Sequence, residues 1–173
     1  MSYSRLTRLI AIAALPVAWV VAPGRARTVA CRWALAMRFP HEDLAGLDPA
    51  THAAFTAARR DALWRDGVLL GLTSGHRDFA VQQRLYLADQ ARGGRKVLPP
   101  QESRHVSGTA LDIRPVEGAG WLSRHGGRYG LYRVYDNEWW HFEYRPDGPP
   151  VRQPHPSTVA RWPTPDSQRP GNA

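Results

Sequence analysis

Two short stretches carry the residues able to do chemistry. The first is Ser103-Arg104-His105-Val106-Ser107-Gly108-Thr109-Ala110-Leu111-Asp112, and the second is Glu138-Trp139-Trp140-His141. His105, Asp112 and His141 supply two nitrogens and a carboxylate oxygen, a donor set suited to Zn²⁺, and three protein ligands leave one position open for water. Zinc lowers the pKa of such a water to about 7, so hydroxide becomes available near neutrality. A carboxylate must then take the proton and hand it to the leaving group. Glu138, three residues before His141, is the candidate.

Each of these residues also has an ordinary reading. A lone histidine is usually structural or superficial, and His41, His52, His125 and His155 are placed in that class. Asp112 sits between Leu111 and Ile113, where a carboxylate is costly to bury unless paired or bound to metal. An arginine is the alternative partner for Asp112 or for Glu138. Successive strand residues face opposite sides, so Glu138 and His141 share a site only if a turn or bulge separates them. Gly108 lets the backbone turn tightly between His105 and Asp112.

The elements that must position these residues alternate irregularly. Asp48-Pro49 reads as an N-cap followed by proline in the first turn, and Phe55, Ala58, Ala62 and Leu63 then recur at helical spacing until Gly67. Val68 to Thr73 reads as a strand ending in Ser74-Gly75. Asp78 caps a second helix, with Val81, Leu85 and Ala88 on the side expected to be buried and Gly93-Gly94 at its end. Thr109 to Ile113 is a third apolar run, Trp121-Leu122 begins a short helix, and two strands over Tyr129–Tyr135 and Trp139–Tyr144 meet at Asp136-Asn137, a hairpin signal. Helices first and an antiparallel hairpin last predict a small α+β domain. Of the aromatics, Trp140, Phe142 and Tyr144 alternate away from His141 and are expected in the core.

The 173 residues suffice for one domain with a core and some extra chain. A net charge of +8 raises nucleic-acid binding, but four of the 23 basic residues lie in residues 1–30, which hold no acid, leaving 19 against 15 acids. The rest is dispersed, with no basic run or basic helix, which argues against a nucleic-acid partner. The single cysteine, Cys31, excludes an intrachain disulfide and a cysteine-based zinc site.

Residues 1–30 read as a signal peptide or signal anchor. Arg5 and Arg8 precede an uncharged stretch from Leu9 to Ala22, short for a membrane span of about 20 residues. Lipidation at Cys31 is the third possibility. All three place the domain outside the cytoplasm, with a membrane tether in the second and third. Eight of the 15 prolines fall between Pro146 and Pro170, so residues 147–173 read as a Pro-rich disordered tail. The folded domain is expected over 31–146.

Ser-x-His-x-x-Gly-x-Ala-x-Asp followed by Glu-x-x-His resembles the motifs of the VanY-type zinc D-alanyl-D-alanine carboxypeptidases. Thr73-Ser74-Gly75-His76-Arg77 with Gln82 is similar to a third element of that family, a Ser-Gly-Tyr-Arg segment with a Gln five residues after the Arg; here His76 stands in place of the Tyr. The resemblance covers roughly residues 47–145. It implies a fold of the Hedgehog and D,D-peptidase type, a small antiparallel sheet with flanking helices that carries one zinc ion. It implies His105, Asp112 and His141 as zinc ligands and Glu138 as general base and then acid. It implies Arg77 as the group that binds the substrate carboxylate or the developing oxyanion, with Gln82 and Ser103 positioning the peptide. The implied substrate is a peptidoglycan stem peptide cut before its terminal D-alanine, by a monomer at the cell wall. A D,D-dipeptidase, an L,D-carboxypeptidase or a stem-peptide endopeptidase with the same site remains open, as does a non-catalytic wall-binding module.

Overall fold

The computed structural model describes residues 3–94 and 96–156. Helix α3 (Pro49–Asp61) starts where its cap demands: the Asp48 carboxylate accepts the amides of Ala50 and Thr51, each at 3.0 Å. It buries Phe55 and Ala58, then widens into one π-type turn over Ala62–Asp66 and stops at Gly67, whose φ is +64°. Four short strands follow among the remaining helices: β1 (Gly71–Ser74), β2 (Ala110–Arg114), β3 (Leu131–Arg133) and β4 (His141–Tyr144). They form one antiparallel sheet in the order β1-β2-β4-β3. The fold is α+β, a small sheet with flanking helices, as the pattern of elements predicts.

Alternation on the strands divides the sheet into a core face and a site face. Leu72, Leu111, Ile113 and Phe142 pack with Phe55 and Ala58 of α3 and with Ala119, Trp121 and Leu122 of α5 (Val116–His125). Their neighbours along the strands, Asp112, His141 and Glu143, lie on the opposite face, because side chains one residue apart point to opposite sides. The register pairs Asp112 with His141 on one flank and with Ser74 on the other, across an irregularity between Leu72 and Ser74.

Helix α4 (Phe79–Ala91) departs from expectation. Val81, Leu85 and Ala88 are exposed, and its buried residue is Gln82. Phe79, Val81, Leu85 and Leu87 are scattered around the helix rather than stacked in a stripe, so there is no apolar face to bury. α4 borders the site rather than the core. Trp140 is likewise 36% exposed, because it belongs to the turn before β4 and not to the strand, while Phe142 is buried as predicted.

The N-terminal residues form a helical hairpin, α1 (Tyr3–Val21) and α2 (Ala26–Arg38). Ala11, Ala18, Ala30, Cys31, Ala34 and Leu35 build a second core with Phe39, Leu63, Trp64 and Leu69. Trp64 Nε1 donates to the Arg27 carbonyl at 3.0 Å, and Arg8 donates to the Trp64 carbonyl at 2.9 Å. The division expected between residues 30 and 31 falls inside α2. Among the described residues α1 is the one helix long and apolar enough to cross a membrane; Leu9, Ile12, Val17, Trp19 and Val20 are exposed along it.

At the other end, residues after the last strand turn back. Gln153 donates to the Val134 carbonyl at 2.9 Å, and its own carbonyl accepts from Asp136 at 2.9 Å, which makes a short parallel pairing. The segment expected as a tail, 147–173, is therefore described as far as 156, and residues 157–173 lie outside the described residues.

Candidate active site

His105 lies in the loop between α4 and β2, in a chain of tight turns. The His105 carbonyl accepts the amides of Arg77, at 3.0 Å, and Gly108, at 3.1 Å. Gly108 has φ +71°, and a Cβ there would meet the Gly46 carbonyl oxygen at 2.5 Å and the Asp48 amide at 2.7 Å. Only glycine lets this turn rest on the N-terminus of α3. The His105 Nδ1–H faces the Gly75 carbonyl at 2.7 Å, which leaves Nε2 aimed at Asp112 Oδ2, 3.4 Å away. Across the sheet, Asp112 Oδ1 is 3.1 Å from His141 Nδ1.

Glu138 and His141 do share the site. The His141 amide donates to the Glu138 carbonyl at 3.3 Å, so a turn separates the two and β4 begins only at His141. This is the device needed to put residues three apart on one side. Β4 then hydrogen-bonds both neighbours, while Val134–Asn137 leaves the sheet to pair with residues 153 and 154.

One donor atom each from His105, Asp112 and His141 lies within 4.8 Å of the other two. Tetrahedral zinc with bonds of about 2.0–2.1 Å separates neighbouring ligand atoms by roughly 3.3 Å. The two histidines reach different oxygens of Asp112, His141 Nδ1 at 3.1 Å from Oδ1 and His105 Nε2 at 3.4 Å from Oδ2, so the three residues converge closely enough to share one ion, and two imidazoles with a carboxylate are a suitable donor set. Burial would raise the Asp112 pKa, but hydrogen bonds from His105 and His141 outweigh it and hold the carboxyl well below its ordinary range. Burial would lower His141, but Asp112 and Glu143 push it up to about 9. Glu138 is half-buried, and its pKa is raised, first by burial and then by the charge of Asp112 against the opposing histidines. A carboxyl tuned upward is better matched to taking and giving a proton near neutrality.

These residues line a cleft of about 210 Å³. Arg77 enters it from the loop after β1, held by Gln82 Oε1 at 2.7 Å and by Ser74 Oγ at 3.2 Å. Gln82 is 2% exposed, and its Nε2 donates to the Leu98 carbonyl at 2.7 Å. It thus ties Arg77 to the loop before Ser103, a buried turn residue that also lines the cleft. Trp140, Tyr135 and Pro156 complete the wall. A larger hollow of about 770 Å³ lies between the α1–α2 turn and α3. The acid in its lining, Asp61, already bonds Arg60 at 2.8 Å and Tyr129 at 2.9 Å, so the chemistry belongs to the smaller cleft.

Tyr135, an aromatic of the sequence, walls the cleft with its ring centre 5.3 Å from that of His141, whereas the pair Glu143 and Arg145 escaped the sequence reading. Alternation from His141 was the available signal for Glu143, since residues two apart share a strand face.

No protein-family model matches the chain, and no curated protein matches it in sequence. Among solved structures it is similar to a mutant of the vancomycin-resistance D,D-pentapeptidase VanY, from a VanB-type resistance cassette, in complex with Zn(II). The identity is 26%, covering 57% of this chain and 72% of that one, at a TM-score of 0.48. It is similar to VanYB in complex with D-alanine-D-alanine, at 25% identity over 57% of this chain and 71% of that one, TM-score 0.49. It is also similar to the LD-carboxypeptidase LdcB, at 25% identity over 57% of this chain and 65% of that one, TM-score 0.47. In structure, the chain is therefore similar to VanY D,D-pentapeptidase and to an LD-carboxypeptidase of peptidoglycan.

Proposed function

We propose that this chain is a zinc-dependent peptidase of bacterial peptidoglycan that removes the terminal D-alanine of a stem peptide. The observation that carries the reading is the convergence of His105 Nε2, an Asp112 carboxylate oxygen and His141 Nδ1, with the half-buried Glu138 on the same cleft. The three ligands would hold one zinc ion, which supplies Lewis acidity toward water and the scissile carbonyl.

Glu138 takes the proton from the attacking water and returns it to the departing amine, the role its raised pKa suits. Arg77 presents a fixed positive charge to the same cleft. Its bonds to Gln82 and Ser74 restrict the guanidinium before substrate arrives, so less side-chain freedom is lost on binding. A fixed cation in a cleft this small favours a peptide ending in a free carboxylate, which a carboxypeptidase substrate has and an internal bond lacks. Gln82 and Ser103 shape the wall against which the peptide lies. The apolar α1, as a signal or an anchor, fits action at the cell wall outside the cytoplasm, by a monomer.

The test is mass spectrometry of a synthetic stem pentapeptide incubated with the full chain, with zinc and with a chelator. Loss of one alanine, abolished by chelator and by Glu138→Ala, is expected. Cleavage at another bond would keep the metal centre and change the bond assigned. A Glu138→Ala protein that cleaves at the wild-type rate would overturn the mechanism.

A further inference from the structure

Glu143 has no part in the reading above, yet it is the carboxylate placed nearest the back of the metal centre. Resting on that reading, we propose that Glu143 is a positioning residue: it holds the His141 imidazole in the tautomer with the proton on Nε2, leaving Nδ1 as the ligand atom.

The geometry is that of a relay. Glu143 is 1% exposed, two residues beyond His141 on the same face of β4. Its Oε2 accepts from Arg145 Nη2 at 2.6 Å and from Arg145 Nε at 3.0 Å. Arg104 lies 3.9 Å from that same oxygen. Both cations therefore engage Oε2, and Oε1 is left facing His141 Nε2 at 3.4 Å. That contact is long, but a carboxylate oxygen can only accept, so a bond here requires the proton on Nε2. Asp112 stands 3.1 Å from the other nitrogen. Each imidazole nitrogen thus faces a carboxylate, and an ion held between Asp112 and Nδ1 leaves Nε2 as the protonated one.

His105 is arranged in the opposite sense. Its Nδ1 is occupied by the Gly75 carbonyl at 2.7 Å, and Nε2 faces Asp112. The centre is therefore built for mixed ligation, Nε2 from His105 and Nδ1 from His141, with a backbone carbonyl orienting the first ring and a buried carboxylate the second. Groups that orient ligating histidines typically change metal affinity 10–100-fold when altered. Arg145 makes Glu143→Gln a sharp perturbation. The guanidinium demands an acceptor, so the new amide turns its oxygen to Arg145 and its NH₂ to His141 Nε2, which draws the ring proton to Nδ1.

The full chain, labelled with ¹⁵N-histidine and titrated with zinc, would show this directly by long-range ¹H–¹⁵N correlation. The expected result is His141 protonated on Nε2 and bound through Nδ1, and His105 bound through Nε2. Glu143→Gln, checked for wild-type circular dichroism, is expected to bind zinc about 10–100-fold more weakly in competition with a fluorescent chelator. His141 bound through Nε2, or a folded Glu143→Gln protein with zinc affinity within twofold of wild type, would overturn the assignment. If the variant does not fold, the wild-type spectrum decides. A wild-type chain that takes up no zinc overturns the metal reading and this inference together, whereas zinc uptake with the other tautomer overturns this inference alone.

Discussion

Gly108→Ala tests the link between the turn that carries His105 and the start of α3. Alanine at φ +71° must adopt a left-handed conformation, which disfavours an L-residue by about 1–2 kcal/mol. The new Cβ would also sit 2.5 Å from the Gly46 carbonyl oxygen and 2.7 Å from the Asp48 amide nitrogen. Both are backbone atoms, so no side chain can swing aside. Relief requires the two segments to part by most of an ångström, which lengthens the 3.1 Å bond from the Asp48 amide to the Gly108 carbonyl. That bond contributes about 1 kcal/mol, so the total destabilisation is about 2–3 kcal/mol. Gly93→Ala is the control: its φ is also +71°, but nothing lies within 4 Å of its Cβ, so it carries the dihedral strain alone. Urea unfolding of the three proteins separates the terms. The Gly108 variant should lose at least about 1 kcal/mol more than the Gly93 variant and should bind zinc more weakly, because His105 shares its turn. Equal losses at the two sites would refute the packing argument.

Three further outcomes are expected. Burial pushes the Cys31 thiol from 9.0 up to about 11, so the native thiol should resist an aromatic disulfide reagent at neutral pH and react once the chain is unfolded. Because the unfolded thiol ionises first, stability should fall as pH rises between those two values, by up to about 2–3 kcal/mol; a Cys31→Ala protein should lose this part of the slope in urea titrations at stepped pH. Glu42 accepts from both Arg59 and the Leu72 amide in a buried setting, so Glu42→Ala strands a buried guanidinium and should destabilise the domain by about 3–5 kcal/mol in the same assay. Asp112→Asn keeps the size of the side chain but removes the charge facing both histidines; its zinc affinity should drop by more than about 100-fold by chelator competition, with the sheet intact by circular dichroism.

Much of the site could be read before folding because local geometry imposes it. Asp48-Pro49 announces a helix start through cap chemistry that involves only its near neighbours. Gly108 announces a turn between His105 and Asp112. Glu138 and His141 are close in the chain, so whether they could share a face reduced to one local question, which the turn before β4 answers. The α4 reading failed for the converse reason. Val81, Leu85 and Ala88 carry a plausible spacing, but burial is settled by what a helix packs against, and α4 lies along the cleft with Gln82 inward.

The residue types that could ligate a metal, a carboxylate close to them in the chain, the α+β class and the order of the elements were all present in the linear chain, since they depend on composition, caps and periodicity over a few residues. Which nitrogen of each histidine faces Asp112, which strand stands beside β2, and where the α1–α2 hairpin packs were not. Those follow from contacts between segments tens of residues apart: Gly75 against His105, Asp112 beside His141, Trp64 against Arg27. Glu143 marks the boundary between the two. Alternation along β4 places it on the site face, but only the arrival of Arg145 and the His141 ring at its two oxygens gives that buried charge its partners.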